Sequence, residues 1–198
     1  YIAMLLTALT GASCSQDETP AGDGRTGVMA MTISTSRTET NGEYDPLQYQ
    51  KVYIYNSEGG LLRKYAAKDD IPERLELLSG TYRVAVEAGE EVPADFSKRF
   101  YKGEETFTVK PGETTHAEVV CKIANTVVEV KFDASIVENL DPGYFVWIAG
   151  TDKFDEAEAE SGSVPALKFT DEGTGYYTLP AGTTSLAWMF RGTHTSGK

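Results

Sequence analysis

The chain has 198 residues and a formal net charge of −12, from 18 basic residues set against 30 acidic ones. Nucleic-acid binding depends on neutralising phosphates with Lys and Arg, so this acidic balance argues against a nucleic-acid partner. The length suits one large domain or two small ones. The chain has only two cysteines, which is too few for a disulfide framework.

The first segment, residues 1–13, is uncharged and largely apolar, and it ends in Gly11-Ala12-Ser13 before Cys14. A membrane-spanning helix needs about 20 apolar residues, so this shorter segment is typical of a signal peptide with a small-residue cleavage site. The residues before Cys14 resemble a lipobox, where a signal peptidase cleaves and the cysteine receives lipid. We expect a signal peptide over residues 1–13 and anchoring in outer-membrane lipid through Cys14. An ordinary signal peptide with an incidental cysteine is the alternative.

Residues 14–26 are rich in polar, acidic and small side chains. Such a stretch cannot bury apolar area, so it predicts a flexible acidic tether. Within it, Ser15-Gln16-Asp17-Glu18 is similar to the acidic export signal of surface lipoproteins in Bacteroidetes-type bacteria. That resemblance implies a protein that is anchored in the outer membrane and faces outward.

Beyond the tether, short runs of β-branched, aromatic and alternating apolar residues are separated by turns rich in Gly, Pro and Asn. This pattern predicts an all-β fold, an antiparallel β-sandwich, rather than alternating β-α-β units. The predicted strands cover residues 28–34, 51–55, 61–65, 74–77, 81–88, 105–109 and 114–120. Residues 152–161 are interpreted as an acidic loop with a short helical turn.

We predict two tandem β domains, the first over residues 27–122 and the second, incomplete in this chain, over residues 123–198. The basis is a faint repeat, because residues 77–84 and 179–186 both pass from an apolar strand end through a Gly-Thr turn into a strand. The alternative is that such turns recur in any β protein. In the second domain, one of the adjacent Tyr176 and Tyr177 rings should point outward. Cys121 is predicted to be a buried structural thiol.

The strand and turn segments of the first predicted domain occur in a definite order. They are Val52-Tyr53-Ile54-Tyr55, Leu78-Ser79-Gly80-Thr81-Tyr82, Phe100-Tyr101-Lys102-Gly103, Phe107-Thr108-Val109 and Val120-Cys121-Lys122-Ile123-Ala124-Asn125. Their order behind a lipobox and an acidic tether resembles an uncharacterised Bacteroidales surface-lipoprotein domain, a domain of unknown function related to the fimbrillin-like proteins. The resemblance implies a transthyretin-like or immunoglobulin-like sandwich and a fimbrial subunit, anchor or tip. It implies no catalytic residues.

Fimbrial subunits of the resembled kind mature by proteolysis after a basic residue, which frees a groove for a strand of a neighbouring subunit. Arg25 and Arg37 flank the first predicted strand, so the resemblance marks them as possible processing sites. A donated strand binds through main-chain hydrogen bonds, and its alternate side chains fill pockets. Other fimbrial subunits are therefore expected partners.

Residues able to carry catalysis or hold a metal are scarce in this sequence. His116 and His194 are its two histidines, and neither has the context of a Ser–His–acid triad. No His or Cys pair has zinc-ligand spacing, and no phosphate-binding glycine loop occurs. We predict no catalytic residue, no metal and no cofactor. The acidic residues within 152–160 are the kind of oxygen ligand that calcium takes, but a solvated acidic loop is the favoured interpretation.

Loop aromatics form the other candidate site, because aromatic rings can stack on sugar rings. One loop segment combines two adjacent basic residues with several aromatic ones on this acidic protein. We identify its residues as candidate ligand contacts: Phe96, Lys98, Arg99, Phe100 and Tyr101. The structural alternative is that these rings cover the end of a domain.

These observations predict a non-enzymatic, lipid-anchored cell-surface protein that acts in adhesion or fimbria-like assembly. The alternative is a glycan-binding accessory lipoprotein of a polysaccharide-uptake system, with surface glycans as its partners.

Overall fold

The computed structural model describes residues 24–36 and 44–196. Cys14, Arg37, the predicted signal peptide and most of the predicted tether lie outside these residues. The strands are β1 (Thr26–Thr35), β2 (Lys51–Asn56), β3 (Leu61–Tyr65), β4 (Arg74–Leu78), β5 (Gly80–Gly89), β6 (Ala94–Asp95), β7 (Phe100–Val109), β8 (Thr114–Ile123), β9 (Thr126–Val130), β10 (Phe145–Ala149), β11 (Ala166–Phe169), β12 (Gly173–Tyr177) and β13 (Ala187–Arg191). The predicted all-β class is confirmed.

Helical structure in the described residues is limited to short elements, α1 (Ala134–Asn139), α2 (Glu156–Ser161) and two 3₁₀ turns, Pro46–Tyr49 and Lys68–Asp70. Helix α2 supplies the short helical turn predicted in the acidic segment. The Asp155 side chain caps it by accepting a 3.1 Å hydrogen bond from the backbone N–H of Glu158, which satisfies a donor that the first turn leaves unpaired.

Seven strands form one mixed sheet in the order β3-β2-β5-β7-β8-β1-β4. The prediction of a purely antiparallel arrangement is wrong, because β1 pairs in parallel with β8, from Val28 opposite Thr114 to Thr35 opposite Cys121. Strand periodicity shows which face a side chain occupies and says nothing about which strand lies next to it. The parallel neighbour therefore could not be predicted from the pattern.

The sheet folds over where β8 passes from β1 to β7. Residues 114–121 of β8 pair with β1, and the last two residues of β8 then pair with β7, Lys122 with Lys102 and Ile123 with Tyr101. Gly103 sits at this crossing, and a Cβ atom there would stand 2.9 Å from the carbonyl oxygen of Val120. The absent side chain lets β8 cross close to β7, as Gly allows where backbones approach. The result is a curled sheet in place of two separate facing sheets.

The main core lies inside this curl and draws apolar side chains from both halves of the sheet. It includes Val52 and Val84 from one half and Met29 and Val119 from the other, each no more than 2% exposed. Cys121 belongs to the same cluster and carries a free, buried thiol, which confirms the predicted structural role. Burial raises the pKa of this thiol to about 11, because an apolar site disfavours the thiolate.

The remaining strands form two three-stranded sheets, β11-β10-β13 and β6-β12-β9. In the second of them, Ala94 and Asp95 pair with residues of β12. Residues from both sides of the predicted boundary at 122/123 thus share one sheet. The predicted second copy of the repeat also differs from the first: residues 178–186 form no strand, and β13 begins at Ala187.

The prediction that one of the adjacent tyrosines points outward is wrong, since Tyr176 and Tyr177 are 6% and 0% exposed. Tyr177 enters the smaller core, and its hydroxyl donates a 3.2 Å hydrogen bond to the carbonyl of Ile148. Tyr176 points to the opposite face, where the Arg99 guanidinium lies 5.7 Å from its ring centroid. Both faces of β12 are therefore covered, one of them by the segment that leads into β7.

Candidate functional site

Strand β1 occupies an interior slot of the seven-stranded sheet. It pairs in parallel with β8 on one side and antiparallel with β4 on the other. Its core-facing positions alternate, with Met29 2% exposed and both Met31 and Ile33 packed against the main core. Loss of β1 would leave main-chain donors and acceptors unpaired on both neighbours, which is costly for buried backbone.

Cleavage after each of the two candidate processing residues would cut the chain on a different side of β1. Arg25 immediately precedes β1, and its carbonyl accepts a 2.7 Å hydrogen bond from the backbone N–H of Ser79. Cleavage after Arg25 would leave β1 joined to the rest of the chain. Arg37 follows β1 in the sequence and lies outside the described residues, so only cleavage after Arg37 would separate β1 from the strands around it.

The basic and aromatic segment begins with a turn organised by Asp95. The Asp95 carboxylate accepts hydrogen bonds of 2.8 to 2.9 Å from the backbone N–H groups of Ser97 and Lys98 and from the Ser97 hydroxyl. Burial opposes ionisation of this carboxyl, but these hydrogen bonds outweigh it and hold the Asp95 pKa below its ordinary value. The turn brings Lys98 to within 3.1 Å of the Glu90 carboxylate.

The five candidate contact residues of this segment divide between surface and core. Phe96 is 50% exposed, and its ring forms a T-shaped pair with the ring of Phe169 at a centroid distance of 5.0 Å. Phe100 and Tyr101 are 2% and 0% exposed, so they present no surface to a ligand. Their role is to pack inside the protein, in place of the predicted ligand contact. Because Phe96 packs on β11 and Arg99 on β12, the segment joins the large sheet to the two small ones.

Tyr44 contacts the same segment through the backbone of Arg99. Its hydroxyl accepts a 2.6 Å hydrogen bond from the backbone N–H of Glu90 and donates at 3.3 Å to the carbonyl of Arg99. The ring stacks on Tyr49, and the two centroids are 5.8 Å apart. Burial raises the pKa of Tyr44 above its ordinary value. The hydroxyl of this loop tyrosine therefore forms hydrogen bonds with the protein's own backbone.

Asn125 is a buried polar residue that joins the start of β7 to the segment that follows β12. Its side-chain oxygen accepts a 2.6 Å hydrogen bond from the backbone N–H of Phe100. Its amide nitrogen donates at 3.3 Å to the hydroxyl of Thr178. Sequence alone gives no reason to single out this residue, because its partners are distant in the chain.

Replacing Asn125 with Ala is expected to lower the free energy of unfolding by about 2 kcal/mol, because it leaves the buried N–H of Phe100 without its acceptor. Urea denaturation followed by circular dichroism measures the change. The matched control is Asn139→Ala, at an exposed residue in α1 whose side-chain amide donates a hydrogen bond to the carbonyl of Ser135. An equal effect of the two substitutions would contradict the role assigned to Asn125.

A cleft of about 480 Å³ opens beside this junction and is lined largely by apolar residues and prolines. The lining residues are Glu91, Val92, Pro93, Gly162, Ser163, Val164, Pro165, Thr178, Leu179 and Pro180. None of them was among the sequence candidates, because they come from three separated segments.

The acidic segment around α2 is tied to its surroundings by ordinary surface contacts. Glu156 forms a 2.7 Å ion pair with Arg191, and Asp152 accepts a hydrogen bond from Ser185. Among residues 24–36 and 44–196, no group of three or more His, Cys, Asp or Glu side chains is placed to hold a metal ion. In the same part of the chain, no helix is long and apolar enough to cross a bilayer.

The model of one protein family, described as a domain of unknown function (DUF4493), matches residues 25–198. The chain belongs to the DUF4493 family. The resemblance to a domain of unknown function, inferred from the order of strand segments, is therefore confirmed. No curated protein sequence matches this DUF4493 chain.

Several solved structures are similar to the DUF4493 chain. A candidate adhesin from Bacteroides ovatus is 11% identical with a TM-score of 0.44, and the match covers 87% of this chain and 74% of that one. A candidate polysaccharide-binding protein from Bacteroides thetaiotaomicron is 9% identical with a TM-score of 0.40, over 87% and 77% of the two chains. The fimbrial anchor protein Mfa2 from Porphyromonas gingivalis is 10% identical with a TM-score of 0.39, over 85% and 79%.

Proposed function

We propose that the protein is an exported, non-catalytic lipoprotein of the cell surface, and that it acts in adhesion or fimbria-like assembly by exchanging β1 for a strand of a neighbouring subunit. The interior position of β1 between β8 and β4 is the observation that carries the proposal. A strand at either end of the sheet could leave without opening a slot. An interior strand leaves a slot with two unpaired edges, each able to accept main-chain hydrogen bonds from an incoming chain.

The slot also specifies the side chains of the incoming strand. Positions equivalent to Met29, Met31 and Ile33 face the core, so the donor needs apolar residues at alternate positions. The position equivalent to Gly27 must stay small, because a Cβ atom there would overlap the carbonyl of Lys110. A donor strand therefore carries a glycine followed, at every second residue, by three large apolar side chains.

Export and anchoring complete the proposal. Cys14 and the acidic residues after it hold the domain at the outer membrane, facing outward, because two or three acyl chains give stable attachment. Labelling cells with a radioactive fatty acid tests this step: wild-type protein is expected to carry label, and the Cys14→Ala variant is expected to carry none. Equal labelling of both proteins would refute the anchor.

Limited digestion of the mature protein with a trypsin-like protease tests strand exchange. We expect cleavage after Arg37, mapped by mass spectrometry, with the remaining strands still folded and β1 slow to dissociate. Arg37→Ala is expected to remove this cleavage, and Arg25→Ala, the matched control, is expected to leave it in place. Destruction of all folded structure, without a trimmed stable core, would count against the proposal.

A peptide with the sequence of residues 26–35 provides the second arm of this test. Added to the cleaved protein, it is expected to compete with β1 for the slot, which fluorescence anisotropy of a labelled peptide would detect. A control peptide with serine at the positions of Met29, Met31 and Ile33 keeps the main-chain hydrogen bonds and loses the apolar contacts. Equal binding of both peptides would show that the slot does not select the donor.

A further inference from the structure

The outer face of strands β2, β5 and β7 carries a regular grid of long side chains. The inward-facing residues Val52, Ile54, Val84 and Val86 are at most 1% exposed, so the residues between them point outward. Strand register places the outward residues in three rows, which are Tyr55–Arg83–Thr106, Tyr53–Ala85–Glu104 and Lys51–Glu87–Lys102.

Ala85, at the centre of this grid, is its smallest side chain, and a depression lies above it. The depression has a volume of about 260 Å³ and is lined by side chains of Tyr53, Ala85, Glu87, Lys102 and Glu104, with Val86 and Gly103 beside them. One wall is aromatic, and the rest of the rim holds two carboxylates and an ammonium group. Drug-sized ligands fill pockets of roughly 300 to 1,000 Å³, so this depression suits a single small ring.

Contacts on the grid orient the tyrosine rings beside the depression. The Tyr53 hydroxyl donates a 3.2 Å hydrogen bond to Glu87, and the Lys64 ammonium lies 5.7 Å from the Tyr53 ring centroid. On the opposite wall, Arg83 pairs with Glu104 at 3.1 Å, and its guanidinium lies 4.2 Å from the centroid of the Tyr55 ring. Side chains held in this way on strands keep a binding geometry better than side chains on loops.

The polar groups of the rim are also able to change partners. Glu104 and Lys102 are 69% and 53% exposed, and Lys102 is 3.9 Å from Glu91. Exposed ion pairs of this kind contribute little stability, so a ligand hydroxyl can replace water or a partner at small cost. Charges of both signs surround the depression, with Lys102, Arg83 and Lys64 near Glu87 and Glu104, so the hydroxyl groups of an uncharged sugar meet both donors and acceptors.

We propose that this depression, with its aromatic wall Tyr53 and its floor Ala85, binds one neutral pyranose unit of a surface glycan. The apolar face of the sugar ring lies against Tyr53, as amphipathic aromatics allow. Glu87 and Glu104 accept hydrogen bonds from sugar hydroxyls, and Lys102 donates one. The site lies on the outer face of the sheet and uses no residue of β1, so it is independent of strand exchange.

Saturation-transfer NMR with the mature protein tests the site. The probes are the methyl glycosides of glucose, galactose and mannose, together with N-acetylglucosamine, at millimolar concentration, and oligosaccharides that present the same units. Saturation transfer to at least one neutral sugar is expected. Binding of an oligosaccharide much tighter than its monosaccharide would identify a polymer as the natural source.

Two substitutions locate the binding. Ala85→Gln fills the depression from an outward strand position, and Tyr53→Ala removes the aromatic wall; each is expected to weaken binding at least tenfold. The matched control, Thr81→Gln, adds the same side chain to the same face of β5, four residues away, and is expected to leave binding unchanged. Melting temperatures close to that of the wild type verify that the variants are folded.

Two results would overturn the proposal. One is the absence of saturation transfer from every neutral sugar and oligosaccharide to the folded wild-type protein. The other is undiminished binding by folded Ala85→Gln, which would place the sugar elsewhere on the molecule. Failure of the strand-exchange test affects neither result, because the sugar probes need no cleavage of the chain.

Discussion

Replacing Tyr177 with Ala is expected to lower the free energy of unfolding by about 4 kcal/mol, the cost of removing a large aromatic from a core. The ring is fully buried and packs with Val146, Ile148 and Phe169 in the smaller core. Its hydroxyl also holds the carbonyl of Ile148. In a protein of this size each kcal/mol moves the melting temperature by roughly 2 to 4 °C, so thermal denaturation should show a clear shift.

Two further variants separate the causes of this effect. Tyr177→Phe keeps the ring and loses the hydrogen bond, so it is expected to cost about 1 kcal/mol. Trp188→Ala is the control for a large aromatic at the surface, since Trp188 is 68% exposed, and it should change stability by about 0.5 kcal/mol or less. A loss from Trp188→Ala as large as that from Tyr177→Ala would contradict the assignment of Tyr177 to a packed core.

Replacing Gly103 with Val is expected to cost about 3 kcal/mol, the upper part of the range for overpacking a core. A Cβ atom at Gly103 would stand 2.9 Å from the Val120 carbonyl oxygen and 3.0 Å from the Cα atom of Cys121. Both obstacles are backbone, which cannot rotate away as a side chain would. Chemical denaturation gives the free energy, and exposure of the buried Cys121 thiol to a labelling reagent reports whether the crossing of β8 has loosened.

The matched control is Gly173→Val in β12. A Cβ atom at Gly173 would meet no other atom within 4 Å, and valine favours strands, so this change is expected to alter stability by about 1 kcal/mol or less. If Gly103→Val proved equally mild, the close crossing of β7 and β8 would be able to widen freely. The curl of the large sheet would then not depend on glycine at this position.

The main core could be predicted from the sequence because alternation is a local property. Residues 51–55 and 81–88 alternate as the structure requires, and Cys121 lies in the core as its apolar surroundings indicated. The neighbours of β1 could not be predicted, since the same alternation is compatible with any partner strand in either direction. The pairing of residues 94–95 with β12 could not be predicted for the same reason.

The candidate contact segment was only partly predictable. Aromatic and basic residues together mark a ligand surface or a packed junction equally well, and the distinction depends on what lies opposite them. Here Tyr101 belongs to the main core and Phe100 is 2% exposed, while Phe96 packs on Phe169 of β11 and stays half exposed. The depression over Ala85 gave no sequence signal, because a small residue forms a cavity only once strand register has surrounded it with long side chains.

The ladder between β1 and β8 joins residues 28–35 to residues 114–121. Closing so long a loop costs chain entropy before any contact compensates for it, and pairings distant in sequence form slowly. Strands β2, β3 and β5 are antiparallel neighbours with shorter connections, so we expect them to form first. Strand β1 precedes its partner β8 by some eighty residues in the chain and is thus expected to be among the last strands to find its place, so a newly made chain would carry it unpaired until β8 has formed.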